Sequence, residues 1–171
     1  MSQTSPVILD RVGILSYMDE ESRQCFASYG RVISTEAGQV LIKAGEVNCH
    51  LYIVLTGTFR ITTQIKGSKV HLDDVGPGDC LGEVAICHPD KASATVICVE
   101  AGQLWSIEAQ ALQTFLDEWP GCGCAAILGI NVMLSRRLRR ANDVIRANNI
   151  VPRFLSVRAQ KRTETAKLPK P

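Results

Sequence analysis

Aromatic side chains are scarce: Phe, Trp and Tyr make up 5% of the 171 residues. That is too few to build the exposed stacking platforms on which single-stranded nucleic acid is held. No window of about 18 consecutive apolar residues occurs, which excludes a transmembrane helix. The opening Met1-Ser2-Gln3-Thr4-Ser5 has neither a basic n-region nor a long apolar run, so no secretory signal is expected. No CxxC pair occurs. The seven cysteines (Cys25, Cys49, Cys80, Cys87, Cys98, Cys122 and Cys124) are odd in number and scattered, and read as reduced thiols of a cytoplasmic protein. Cys122-Gly-Cys124 lacks further ligands at short spacing, so no metal site is expected. There is no GxSxG elbow and no Ser–His–Asp set at a strand-to-helix turn, which leaves an enzyme with little support. Asp73, Asp74 and Asp79 lack calcium-loop spacing and read as a solvated turn, and Cys87 and His88 as loop surface.

Apolar residues reach 46%, enough for a packed core in one domain plus an appendage. The net charge of +2 hides an asymmetry. Residues 1–135 carry 8 Lys+Arg against 15 Asp+Glu, whereas residues 136–171 carry 11 against 2. An acidic body therefore precedes a basic end, which suits a polyanion or an acidic partner, or is simply a solvated helix face with a loose tail.

Leu9–Leu15 is short and helix-like. Asp19 caps a helix opening on Glu20-Glu21, where acids meet the positive end of the helix dipole. Cys25, Phe26 and Tyr29 form its apolar stripe, and Gly30 stops it. From Arg31 the period changes. Short apolar runs at Arg31–Ser34, Val40–Lys43, Leu51–Leu55, Phe59–Thr63, Val70–Val75, Ala94–Val99 and Gln103–Ile107 alternate with Gly-rich turns. The pattern predicts a mainly β protein with flanking helices: an antiparallel β-roll or jelly-roll barrel of about eight strands. Helices return at Glu108–Glu118, which stops at Trp119-Pro120, and then from Gly121 to about Asn148. In the latter, Ile127, Asn131, Leu134, Leu138, Ala141 and Ile145 follow a heptad spacing, so a homodimer through Ile127–Ile145 is expected. The organisation is an N-terminal helical segment (1–30), a β-roll with C-terminal helices (31–148) and a basic, partly disordered tail (149–171).

The chemistry concentrates in Gly76–Val99, GPGDCLGEVAICHPDKASATVICV. Gly82-Glu83-Val84-Ala85 follows a Gly-Pro-Gly turn and opens a single helical turn whose free N–H groups suit an anion. Gly82 lets backbone approach closely. Glu83 repels phosphate but accepts a hydrogen bond from a hydroxyl such as a ribose's. Ser93 supplies a hydroxyl and its own N–H, and Lys91 a cation beside them. Phosphate donors with one carboxylate at the sugar edge describe a pocket for a nucleotide.

With its all-β setting, this segment resembles the phosphate-binding cassette of the cyclic-nucleotide-binding domain family, found in catabolite-activator-like bacterial regulators and protein kinase A regulatory subunits. The likeness spans about residues 8–148. It rests on the leading helix, Ala44-Gly45-Glu46, Leu51-Tyr52-Ile53-Val54-Leu55-Thr56-Gly57, the cassette Gly82–Val96, and the helix Leu134–Asp143. The resemblance implies a ligand, cAMP or cGMP, and no metal. It implies that Gly82 and Glu83 open the cassette with the glutamate on the ribose 2′-hydroxyl, that Val84 and Ala85 contribute backbone, that Ser93 and Ala94 bind phosphate, and that Asn142 on the long helix meets the base. The family's arginine position is Ala92 here, with Lys91 one residue earlier. A guanidinium there is worth about 1.5–3 kcal/mol, so its loss weakens binding by roughly ten- to a hundredfold. Lys91 is a point charge on a neighbouring residue, whose side chain points elsewhere once the strand has started.

Two readings stay open. One is a non-catalytic sensor that passes ligand binding on through its C-terminal helix. The other is a degenerate domain, empty of nucleotide, that serves protein interaction or dimerisation, with a protein partner at the basic segment from Arg136. Only about 23 residues follow Asn148, short of the roughly 60–70 that a winged helix-turn-helix needs, so no direct DNA reader is expected.

Overall fold

A computed structural model describes residues 8–65, 67–84 and 91–147. A 3₁₀ turn, Gly13–Tyr17, precedes helix α1 (Glu20–Ser28). Eight strands follow: β1 (Arg31–Thr35), β2 (Val40–Ile42), β3 (His50–Val54), β4 (Thr58–Ile65), β5 (Ser68–Val75), β6 (Cys80–Leu81), β7 (Thr95–Glu100) and β8 (Gly102–Glu108). Helices α2 (Ala109–Glu118) and α3 (Pro120–Ala147) complete the described chain.

Local chemistry explains the helix ends. The Asp19 carboxylate accepts a hydrogen bond from the Ser22 N–H at 2.8 Å, as a cap should. Pro120 does not merely end α2. It opens α3, at the first helical position, where its missing N–H costs nothing.

The strands form two four-stranded antiparallel sheets, ordered β1-β8-β3-β6 and β2-β7-β4-β5. They are not closed into a barrel. The expected eight-strand antiparallel roll is therefore right in kind, but it is a two-sheet jelly roll. The strands β3, β6 and β8 of the first sheet are buried on both faces. Leu51, Ile53, Cys80, Trp105 and Ile107 pack against the helices with Phe26, Phe115 and Ile130. Tyr52, Val54, Leu81 and Leu104 face the second sheet and meet Phe59, Val75, Val96 and Cys98. This is the period-2 alternation of strands with a core on either side. Trp105 is fully buried, and its indole N–H donates to the Ala27 carbonyl at 3.2 Å.

The chain divides into two compact units, Met1–Leu134 and Ser135–Pro171. In the first, Ala126, Ile130 and Met133 of α3 are buried in the helix-side core, with Ile127 and Leu134 packed beside them. In the second, Arg136, Leu138, Arg139, Arg140, Ala141 and Asn142 are exposed and Arg137 is half-buried. The proposed tail 149–171 lies outside the described residues, as does the Ile145 side chain. Among the described residues no helix is long and apolar enough to cross a membrane.

Candidate nucleotide-binding site

The cassette begins at a turn that is itself clamped to β3. The Asp79 N–H donates to the Gly76 carbonyl at 3.0 Å, and the Asp79 carboxylate accepts from the Gly76 N–H at 3.2 Å. The Val54 N–H donates to the Asp79 carbonyl and the Gly78 N–H to the Val54 carbonyl, each at 2.9 Å. This turn feeds β6, whose Cys80 and Leu81 pair with Ile53 and Tyr52. β6 is the strand that the sequence reading left out. Two residues between glycines carry too little pattern to be seen.

Gly82 then turns the chain with φ +82°. A Cβ built there lies 2.3 Å from the His50 carbonyl oxygen and 2.6 Å from Asn48 Nδ2. Only glycine satisfies both the left-handed backbone and the close approach. Glu83 follows in the first helical residues and is 6% exposed. A carboxylate this deep holds partners, and a hydroxyl donor is a natural one. Val84, by contrast, is exposed.

The far end of the cassette is tied to the β2–β3 loop. The Ala92 N–H donates to the Glu46 carbonyl and the Gly45 N–H to the Ala92 carbonyl, each at 2.8 Å. Val47 and Lys91 form a β-bridge. The Thr95 hydroxyl accepts from the Ala44 N–H at 3.0 Å. Ala92 packs against the core between the two sheets, whereas Lys91 is exposed. The alternation of an extended chain thus turns Ala92 inward and Lys91 outward. Ser93 is exposed, its carbonyl accepting from the Thr63 hydroxyl at 3.3 Å, and Ala94 is half-buried.

Of the expected site residues, the structure describes Gly82, Glu83 and Val84 at the cassette's opening and Lys91, Ala92, Ser93 and Ala94 at its end. Ala85, with Cys87 and His88, lies outside the described residues. Asn142 belongs to the second unit, where it is exposed on α3. Two residues of the site went unread. The Asn48 side chain donates to the His50 carbonyl at 2.7 Å, on the spot that Gly82 leaves open. His50 stacks on Tyr52 with ring centroids 5.9 Å apart. An asparagine two residues ahead of a strand was the available signal. No group of three or more potential metal ligands occurs among the described residues.

Comparison with known proteins gives the family. The profile of the cyclic nucleotide-binding domain family matches residues 32–118. The chain belongs to that family. It is 33% identical over 84 residues to cGMP-dependent protein kinase, isozyme 1, of Drosophila melanogaster, covering 48% of this chain and 10% of the kinase. It is 32% identical over 89 residues to the cAMP-dependent protein kinase regulatory subunit of Schizosaccharomyces pombe, covering 52% of this chain and 21% of the subunit. The chain thus spans about a tenth to a fifth of these curated relatives' length. Among solved structures, a cyclic nucleotide-binding domain from Methylobacillus flagellatus superposes with a TM-score of 0.75 at 20% identity, over 80% of this chain and 77% of that one.

Proposed function

We propose that this chain is a non-catalytic regulatory module that binds a cyclic nucleotide, cAMP or cGMP, in the cassette Gly82–Ala94. The reading has it work in the cytoplasm as a homodimer and signal through α3. The observation that carries it is the cassette's intact opening. Gly82 is pressed onto the β3 backbone, and the Glu83 carboxylate beside it is buried. A fold that keeps a buried acid at this bend keeps an acceptor for a ribose hydroxyl. The S. pombe and D. melanogaster relatives, named for cAMP and cGMP, support the ligand class.

In this reading Glu83 takes the 2′-hydroxyl, and the Ser93 and Ala94 region takes the phosphate. Asn142 contributes at the base, and the basic segment from Arg136 is offered to a protein partner rather than to DNA. Calorimetric titration of the folded protein with cAMP and with cGMP tests it. A saturable heat in the micromolar range is the expected result, and none at high micromolar ligand rejects it.

Ala92 favours a second reading, in which the pocket is kept for its shape and binds no nucleotide. The same titration separates the two, because a domain retained only for dimerisation or partner docking gives no heat with either ligand.

A further inference from the structure

Two half-buried thiols from distant parts of the chain lie where α1 packs against the start of α3. Cys25 lies on α1 and Cys122 in the first turn of α3, and both pack on the helix-side core. The Ser22 hydroxyl is 3.1 Å from Cys122 Sγ. Ser22 and Cys25 are three residues apart on α1, so they are neighbours on one helix face, with Cβ atoms about 5–6 Å apart. Cys122 therefore sits against the same face that carries Cys25. The two groups also sense each other electrostatically. Burial pushes the Cys25 thiol up, and the neighbouring Cys122, Glu118 and Glu21 add to the shift. The other described cysteines are placed differently. Cys124 is exposed, and the Cys80 thiol is buried 3.4 Å from Met133 Sδ.

We propose that Cys25 and Cys122 are a redox site that closes to a reversible intramolecular disulfide when the protein meets a disulfide oxidant such as glutathione disulfide. One cysteine thiolate attacks the oxidant, forms a mixed disulfide and releases one glutathione. The other cysteine gives up its proton and attacks the protein-bound sulfur, expelling the second glutathione. Two electrons and two protons leave the protein, and one glutathione disulfide becomes two glutathiones. The partner exchange is short: Cys122 Sγ turns from Ser22 to the residue one helical turn further along α1. The bond staples α1 to the first turn of α3. In a reducing compartment it opens again, so it acts as a switch rather than a permanent brace.

The test oxidises the full chain with glutathione disulfide and maps its tryptic peptides without reduction. The expected product joins the peptide 24–31, which holds Cys25, to the peptide 92–136, with the mass of two hydrogens lost, and dithiothreitol reverses it. The link survives Cys124→Ser and is lost in Cys122→Ser, a substitution that keeps a small polar group beside Ser22. Oxidised wild type also melts above identically treated Cys122→Ser. A link that persists in Cys122→Ser overturns the proposal. So does glutathione carried singly with no link, an unreactive Cys25, or cross-linking only between copies.

Discussion

In the proposed reading, position 92 is where one side chain sets how tightly the pocket holds an anion. Its Cβ faces the core between the sheets while its N–H and carbonyl are both held by the β2–β3 loop. A longer side chain there leaves along the inward direction. Ala92→Arg is therefore expected to raise cyclic-nucleotide affinity by about ten- to a hundredfold, the worth of a charge-assisted contact to phosphate. Titration of both proteins with cAMP and cGMP measures it, and an unchanged affinity means that the cassette has been placed wrongly. Gly82 is the structural counterpart. Gly82→Ala meets a left-handed φ and two atoms closer than 3 Å. It is expected to cost about 1–3 kcal/mol, read as a lowered melting temperature. A third residue gives a pH signature. The Arg60 guanidinium, bonded at 2.8 and 2.9 Å, and then His71 at 3.0 Å hold the Asp74 carboxyl down at about 2, against its ordinary 3.8. A depressed carboxyl stabilises the fold above its unfolded value and loses that contribution as pH falls through its folded value. The melting difference between wild type and Asp74→Asn is expected to shrink as pH falls below about 4 and to be lost as it falls through about 2. The group is exposed, so the difference is small.

Among the elements, α3 shows how much packing the glycines permit. A Cβ on Gly129 would lie 2.0 Å from the Ile14 carbonyl oxygen, whereas one on Gly121 meets nothing within 4 Å. The 3₁₀ turn of residues 13–17 thus rests on bare helix backbone at Gly129. Gly129→Ala is expected to destabilise by about 1–3 kcal/mol through overpacking, and Gly121→Ala to be neutral or stabilising by up to about 1 kcal/mol through helix propensity. Chemical denaturation of the two variants side by side checks the contrast. The same elements mark what could be read in advance. The Asp19 cap, the seven apolar runs and the Trp119-Pro120 break were legible because each is a local preference written in adjacent residues. The close backbone approach at Gly82 was legible because a glycine follows a Gly-Pro-Gly turn there. β6 was not, since it exists only through pairing with a distant strand; the Asn48–His50 ledge went unread although its asparagine is a local signal. The fate of Ile127 and Leu134 was not legible either. A heptad stripe does not say whether it faces the chain's own core or a second copy, and these two residues pack on the chain's own core.

At the scale of the whole molecule, that division of the stripe sets the terms for dimerisation. With Ile127 and Leu134 engaged at home, the stripe residues left for a partner helix among the described side chains are Asn131, Leu138 and Ala141, all exposed in the single chain, with Leu138 64% exposed. Burying one Leu of this kind is worth about 1.5–3 kcal/mol, and a two-fold interface counts it twice. Leu138→Asp removes both contributions and sets two carboxylates in an apolar seam. It is expected to raise the dimer dissociation constant by at least a hundredfold, leaving a monomer in sedimentation at concentrations where wild type is paired. Salt supplies an independent axis. Arg136, Arg139 and Arg140 are exposed on the same helix, and pairing concentrates their like charge. Screening shortens the reach of that repulsion to about 8 Å at physiological ionic strength, so wild-type association is expected to tighten as salt rises. An apolar seam flanked by arginines strengthens with salt, whereas an interface built on arginine–carboxylate pairs weakens. A wild-type protein that sediments as a monomer at every concentration and salt removes the dimer, and leaves α3 free to present Leu138 to a different partner.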